Sequence, residues 1–183
     1  MRQAVLVNGV PASGKSTVAR ALAQRLDCPL LALDTVKEAL FGQLGIGDRE
    51  HNRKMGRASY AAIWALVSEF PRDCVVVVDA WFGFQPVEVL RGHLRHAGIG
   101  GVVEVWCHAP PESIAQRYAE RCLTRSAGHL GLDYVPELRE LAGKALPLRL
   151  GALVDADTSR QIDMDGLAAT VAEALRGPAS CYV

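Results

Sequence analysis

Residues Gly9-Val10-Pro11-Ala12-Ser13-Gly14-Lys15-Ser16-Thr17 have the types and the spacing to hold a chain of phosphates. They fit G-x-x-x-x-G-K-[ST], the P-loop pattern, with an apolar run at residues 4–7 before it and a helical pattern after it. Gly9 and Gly14 allow a tight turn in which successive N–H groups face one anion. A helix opening near Lys15 adds the positive end of its dipole. Lys15 can reach the terminal phosphates of a nucleotide, and the Ser16 hydroxyl can hold a magnesium ion. The expected ligands are therefore ATP and Mg2+. The loop alone does not say where a phosphoryl group would go.

Two carboxylates and a row of arginines bear on that question. Asp34 closes a short apolar run at residues 30–33. Phosphoryl transfer to an alcohol needs a group that orients the hydroxyl and takes its proton, and a carboxylate facing the γ-phosphate does both. Asp34 is also a good helix N-cap. Lys37, one helical turn on, could reach the acceptor or lie solvated on the helix. Asp79 closes a valine-rich run, where a carboxylate can act on magnesium through its water. Trp81, Phe82 and Phe84 follow and could wall an acceptor pocket or pack beneath a helix. Arg117, Arg121 and Arg125 fall at i, i+4 and i+8, before a loop containing Gly128 and His129. A lid closing there would bring guanidinium groups onto the phosphates, with Arg121 and Arg125 better placed than Arg117. Asp157 and Thr158 follow the last apolar run and could flank an adenine ring. Arg53 and Arg57 could line the acceptor site or form a solvated face.

The elements that must position these residues alternate. Strands are expected near residues 4–7, 30–33, 74–78, 102–107 and 152–154, and helices near 15–26, 35–41, 52–70, 86–97, 112–124, 136–146 and 165–175. Glycines 42, 45 and 47 are expected to break the second helix. The run Val75-Val76-Val77-Val78 suits a central strand covered on both faces. The prediction is an α/β three-layer sandwich of the P-loop NTPase type: five parallel strands, helices on both faces and a small lid at about residues 117–135, all in one domain. Ligands then sit beyond the carboxyl ends of the strands.

Composition narrows the partners. The chain has 183 residues, half of them hydrophobic, and a formal net charge of zero, which argues against sequence-independent binding of duplex nucleic acid. Cysteines 28, 74, 107, 122 and 181 are scattered, as free thiols in a reducing cytoplasm would be. The first strand starts too early for a signal peptide, no apolar run reaches membrane-spanning length, and Cys181 stands one residue too late for prenylation.

The blocks GVPASGKSTVARALAQRL, LDTVKEAL, VVVVDAWF and VEVWCHAPPESIAQRYAER with its following GH resemble the small P-loop kinases near chloramphenicol phosphotransferase, zeta toxin and the polynucleotide kinase 5′-domain. The resemblance implies that Asp34 is the base, and that ATP phosphorylates a hydroxyl of a small molecule. Polynucleotide kinases carry an arginine three residues after that aspartate, whereas this chain has Lys37, which argues against a nucleic-acid acceptor. Two other readings stand beside it: a nucleoside or polynucleotide 5′-hydroxyl kinase, and a regulatory nucleotide-binding module that transfers nothing. The N-K-x-D motif of guanine switches is absent.

Overall fold

The computed structural model describes residues 1–177; Cys181 and the rest of the tail lie outside them. Strands β1 (Arg2–Asn8), β2 (Leu30–Ala32), β3 (Val75–Ala80), β4 (Ile99–His108) and β5 (Ala152–Asp157) form one parallel sheet in the order β2-β3-β1-β4-β5. Among the described residues the helices are α1 (Lys15–Arg25), α2 (Leu33–Leu44), α3 (Arg49–Ser68), α4 (Val87–His96), α5 (Pro111–Cys122), α6 (Val135–Lys144) and α7 (Met164–Arg176). No described helix is long and apolar enough to cross a membrane.

Strand alternation sorts the core into two layers. Ala4, Leu6, Val76 and Val78 face one way, beneath Ile63, Trp64 and Val67 of α3 and Leu90 and Leu94 of α4. Val5, Val7, Val77 and Val105 face the other way, onto Val18 and Leu22 of α1 and Leu167 and Val171 of α7. Each buried Val, Leu or Ile among them contributes roughly 1.5–3 kcal/mol by leaving water. A third cluster props the P-loop from the side: Val10 and Ala12 pack on Ile114 and Tyr118 of α5 and Leu138 of α6.

The strands end level with one another. Asn8 of β1 pairs in register with Ala80 of β3 and Trp106 of β4, so one edge of the sheet carries the P-loop, Asp79 and the start of α2. That edge is held by a carboxylate the sequence did not single out. Glu104, fully buried in β4, accepts hydrogen bonds from Asn8 Nδ2 at 2.7 Å and from the backbone N–H groups of Leu148 at 2.9 Å and Arg149 at 2.8 Å. Asn8 in turn accepts from the Phe82 N–H at 3.1 Å. One side chain thus ties the exits of β1 and β3 to the approach to β5.

Several boundaries differ from the sequence expectation for identifiable reasons. Helix α3 begins at Arg49, because Asp48 caps it by accepting from the His51 N–H at 2.8 Å. Its buried stripe includes Tyr60 and Trp64, while Leu66 is 51% exposed. Gly42 lies inside α2, which runs on until Gly45 adopts a positive φ of 82°. Gly100 and Gly101 extend β4 rather than precede it, and β5 runs through Asp157.

Replacing Glu104 by Ala strands three N–H donors in the interior. The expected cost is about 3 kcal/mol, a fall in Tm of roughly 10 °C by calorimetry, with Glu104→Gln recovering part of it. An unchanged Tm in Glu104→Ala would remove this carboxylate from the frame.

Candidate active site

The P-loop joins β1 to α1. A Cβ at position 9 would collide with Ser13 Oγ and the Cys107 carbonyl, so glycine is required there by close approach. Ala12 and Gly14 both have positive φ, 63° and 81°, and curl the backbone around the loop. Helix α1 has no acidic residue in its first turn, leaving its N-terminal N–H groups to an anion. Lys15 Nζ lies 3.5 Å from the Val10 carbonyl, folded over the loop.

Two cavities open on this edge. The first, about 770 Å³, is lined by Gly14, Lys15, Ser16 and Thr17 of the loop and α1, and by Arg117, Arg121 and Thr158. The second, about 420 Å³, lies between the P-loop, the first turns of α2 and α3, and α6. The residues common to both are Lys15, Asp34 and Asp79. Asp79 is 5% exposed, and its Oδ1 is buried with no hydrogen-bond partner.

Asp34 sits in the first turn of α2, not at its cap; Ala32 holds the cap position and no side chain closes it. The carboxylate is therefore free for another partner, and Arg125 Nη2 donates to its Oδ2 at 2.6 Å. The Arg125 side chain is 13% exposed and Asp34's is 43% exposed. Burial alone would push the Asp34 carboxyl up. Lys15, Arg125, His129 and Lys37 outweigh it and hold the carboxyl below its ordinary value.

The cations around Asp34 are themselves fixed. Lys37 is buried, donates to Asn52 Oδ1 at 2.8 Å and lies 5.5 Å from the centre of the Phe41 ring. Burial lowers its ammonium pKa, with Asp34 opposing and Arg125 adding to the shift. The segment after α5 packs down on α2 and α3. Asn52 Nδ2 donates to the Gly128 carbonyl, and His129 Nε2 lies 2.8 Å from Glu38 Oε1. A side chain at Gly128 would strike the Phe41 ring. Burial lowers the His129 pKa, Arg125 adds to that, and Asp34 and Glu38 do not reverse it.

The three arginines divide their work. Arg117 donates to the Thr158 carbonyl at 2.8 Å and to its hydroxyl at 3.2 Å. Thr158 Oγ1 also lies 2.9 Å from the Ser13 carbonyl and 3.0 Å from that of His108. Thr158 therefore clasps the P-loop, and Arg117, which the sequence ranked last, is the arginine that holds it there. Arg121 is exposed on the larger cavity, and Arg125 lies beyond the end of α5, in the smaller one.

Phe82 requires a correction. It is 1% exposed, 6.0 Å edge-to-face from Tyr60, with its N–H held by Asn8, so it faces the core and cannot wall an acceptor pocket. Trp81 does line the smaller cavity, and Phe84 takes the place expected of Phe82. Arg57, with Arg53, also lines it. Asn52, Glu38 and Tyr118 were missed. They are polar or aromatic residues inside amphipathic helices, with no spacing that marks them.

Relatives fit this picture. A family model described as an AAA domain (AAA_33) matches residues 5–130. No curated protein matches the chain. Among solved structures, a protein of Chloroflexus aurantiacus J-10-fl described as a candidate kinase superposes with a TM-score of 0.81 at 27% identity, over 96% of this chain and 99% of its own. A gluconokinase of Sinorhizobium meliloti 1021 superposes at TM-score 0.61 and 23% identity, covering 94% of this chain and 95% of its own. The APS kinase of Mycobacterium tuberculosis, in complex with AMPPNP and APS, does so at 0.61 and 19%, covering 96% and 98%. The last two likenesses establish the fold. With the P-loop edge, the five-stranded parallel sheet and a family match over more than half its length, the chain belongs to the AAA_33 family of AAA domains and has the fold of the P-loop kinases.

Proposed function

We propose that the protein is an ATP-dependent kinase that phosphorylates a hydroxyl group of a small molecule, within the group typified by chloramphenicol phosphotransferase, zeta toxin and the polynucleotide kinase 5′-domain. One observation carries the reading: the two cavities meet only at Lys15, Asp34 and Asp79. A cation, a carboxylate kept ionised and a second, unpartnered carboxylate are what an in-line transfer needs at the point where donor and acceptor touch.

The larger cavity takes the nucleotide. Backbone N–H groups of residues 9–17 and the N-terminus of α1 hold its phosphates, and Lys15 swings from Val10 to the terminal ones. Arg121 adds charge at the rim, while Thr158 and Arg117 keep the loop in shape. Ser16 and Asp79 suit Mg2+, since Asp79 lines both cavities and its Oδ1 has no hydrogen-bond partner. Held by Ser16 and Asp79, the ion would supply neutralisation of phosphate charge. In the smaller cavity Asp34 accepts the hydrogen bond of the acceptor hydroxyl. The hydroxyl oxygen forms the new P–O bond, the bond to the leaving ADP breaks, and the hydroxyl proton passes to Asp34. Arg125 keeps Asp34 aimed.

The AMPPNP found in the M. tuberculosis APS kinase supports ATP as donor here. The sugar-acid kinase among the fold neighbours supports a small hydroxylated acceptor.

In Asp34→Asn the amide cannot take the proton, so kcat for transfer should fall at least about a hundredfold, while affinity for a fluorescent ATP analogue stays within a few-fold of wild type. Full transfer activity in that variant would end the assignment. Arg125→Ala gives a test of sign. The Asp34 carboxyl lies below its ordinary value partly because of Arg125, so removing the guanidinium must raise it. Activity needs the ionised form, so it is present above the Asp34 pKa and lost as pH falls through it. The acid limb of kcat should therefore move to higher pH in Arg125→Ala, as should the Asp34 carboxyl titration followed by 13C NMR. An unmoved limb and titration would mean that the ion pair does not tune Asp34.

A further inference from the structure

The smaller cavity has more positive charge than phosphotransfer requires. Six cationic side chains line it: Lys15, Lys37, Arg49, Arg53, Arg57 and Arg125. Lys15 belongs to the P-loop. Arg125 is taken up by Asp34, and Arg49 by Glu137 at 2.7 Å, beside the ring of Tyr134. Lys37 hydrogen-bonds Asn52 and already faces the carboxylates of Asp34 and Glu38. The other two have no carboxylate: Arg53 and Arg57 make no ion pair among the described residues.

Placement makes this surplus usable. Arg53 and Arg57 are one turn apart on α3, so their side chains leave the same face about 5–6 Å apart. Gly56 lies between them on the cavity wall, and a Cβ there would meet nothing within 4 Å, so the space in front of the pair is open. Trp81, Phe84 and Tyr134 add aromatic rings to the same lining. At the reacting end Asp34 and Asp79 supply carboxylate acceptors, and the charge of Asp34 is already matched by Arg125. A molecule that satisfies both ends presents a hydroxyl to Asp34 and an acidic group to Arg53 and Arg57, with a short carbon body against the aromatic rings. The volume of about 420 Å³ holds a small metabolite of that kind.

We infer that the acceptor is an anionic alcohol, a hydroxy acid or a phosphorylated polyol, whose carboxylate or phosphate is clasped by Arg53 and Arg57. This rests on the kinase reading for the hydroxyl end only; the anion clasp stands on the charge of the cavity.

The test uses acceptors in matched pairs, an aldonic acid and a sugar phosphate each against the uncharged parent sugar, with the full-length protein. Transfer from γ-labelled ATP gives kcat and KM, and calorimetry with each compound in the absence of nucleotide gives affinity independently of turnover. The acidic member of at least one pair should bind, and be used, at least about tenfold better than its parent, and Arg53→Gln/Arg57→Gln should remove about tenfold or more of that advantage by raising Kd and KM. Arg53→Lys/Arg57→Lys, which keeps the charge, should restore part of it. Whether carboxylate or phosphate is preferred separates the two sources of the anion. Equal binding of acidic and neutral members, or an advantage that survives the double glutamine variant, overturns the inference while leaving kinase activity toward a neutral acceptor standing. Binding of the acidic members through these arginines without any transfer would instead support the clasp and overturn the kinase reading.

Discussion

In the proposed reaction Asp34 must stay ionised beside a chain of phosphates, which is electrostatically uncomfortable, and the cations gathered around it fit that constraint. Like charges at close range drive a carboxyl to take up its proton, and a protonated Asp34 could no longer accept one from an alcohol. The protein offsets the repulsion before any phosphate arrives. Lys15 comes from the P-loop, Lys37 from one turn further along α2, and Arg125 and His129 from the segment after α5. These four side chains come from three separate stretches of the chain. They meet because α2 starts directly from the end of β2, and because that segment is pinned across α2 and α3 by Asn52, Glu38 and the close approach of Gly128 to Phe41.

This explains why the fold invests in polar groups where hydrophobic packing alone would be cheaper. Lys37 gives up hydration to sit behind Asp34. Glu104 is buried whole to fix Asn8 and, through it, the backbone at Phe82. The valine-rich sheet makes such groups tolerable, because β1 and β3 are packed on both faces and cannot yield when a charge is placed at their ends. Thr158 performs the same service on the far side, linking Arg117 and the Ser13 carbonyl so that the P-loop is clamped between β4 and β5.

The sheet, the helical layers and the phosphate loop were legible in the sequence because each rests on a local pattern: strand runs of valine, helical apolar stripes, and a glycine–lysine spacing with one physical reading. That Asp34 and Asp79 would lie at the P-loop edge of the sheet was legible for a related reason, since each closes an apolar run, although Asp34 falls in the first turn of α2 and not at the end of β2. The acceptor side was less so. Phe82 and Phe84 are two residues apart on one short turn, and which of them faces the core depends on the Asn8 hydrogen bond. Arg117 and Arg125 share a helical stripe, yet the chain leaves the helix at Cys122, so they reach different cavities.

The central claim is that Lys15, Asp34 and Asp79 form the junction across which phosphate passes from ATP to a hydroxyl oxygen. Its most direct test is 31P NMR of the wild-type protein with ATP, Mg2+ and a pool of hydroxylated small metabolites, followed in time. The account predicts a phosphomonoester resonance growing in step with ADP and splitting by coupling to carbon-bound protons. Accumulation of ADP with inorganic phosphate alone, or a product with the shift of an acyl phosphate or an anhydride, would contradict it.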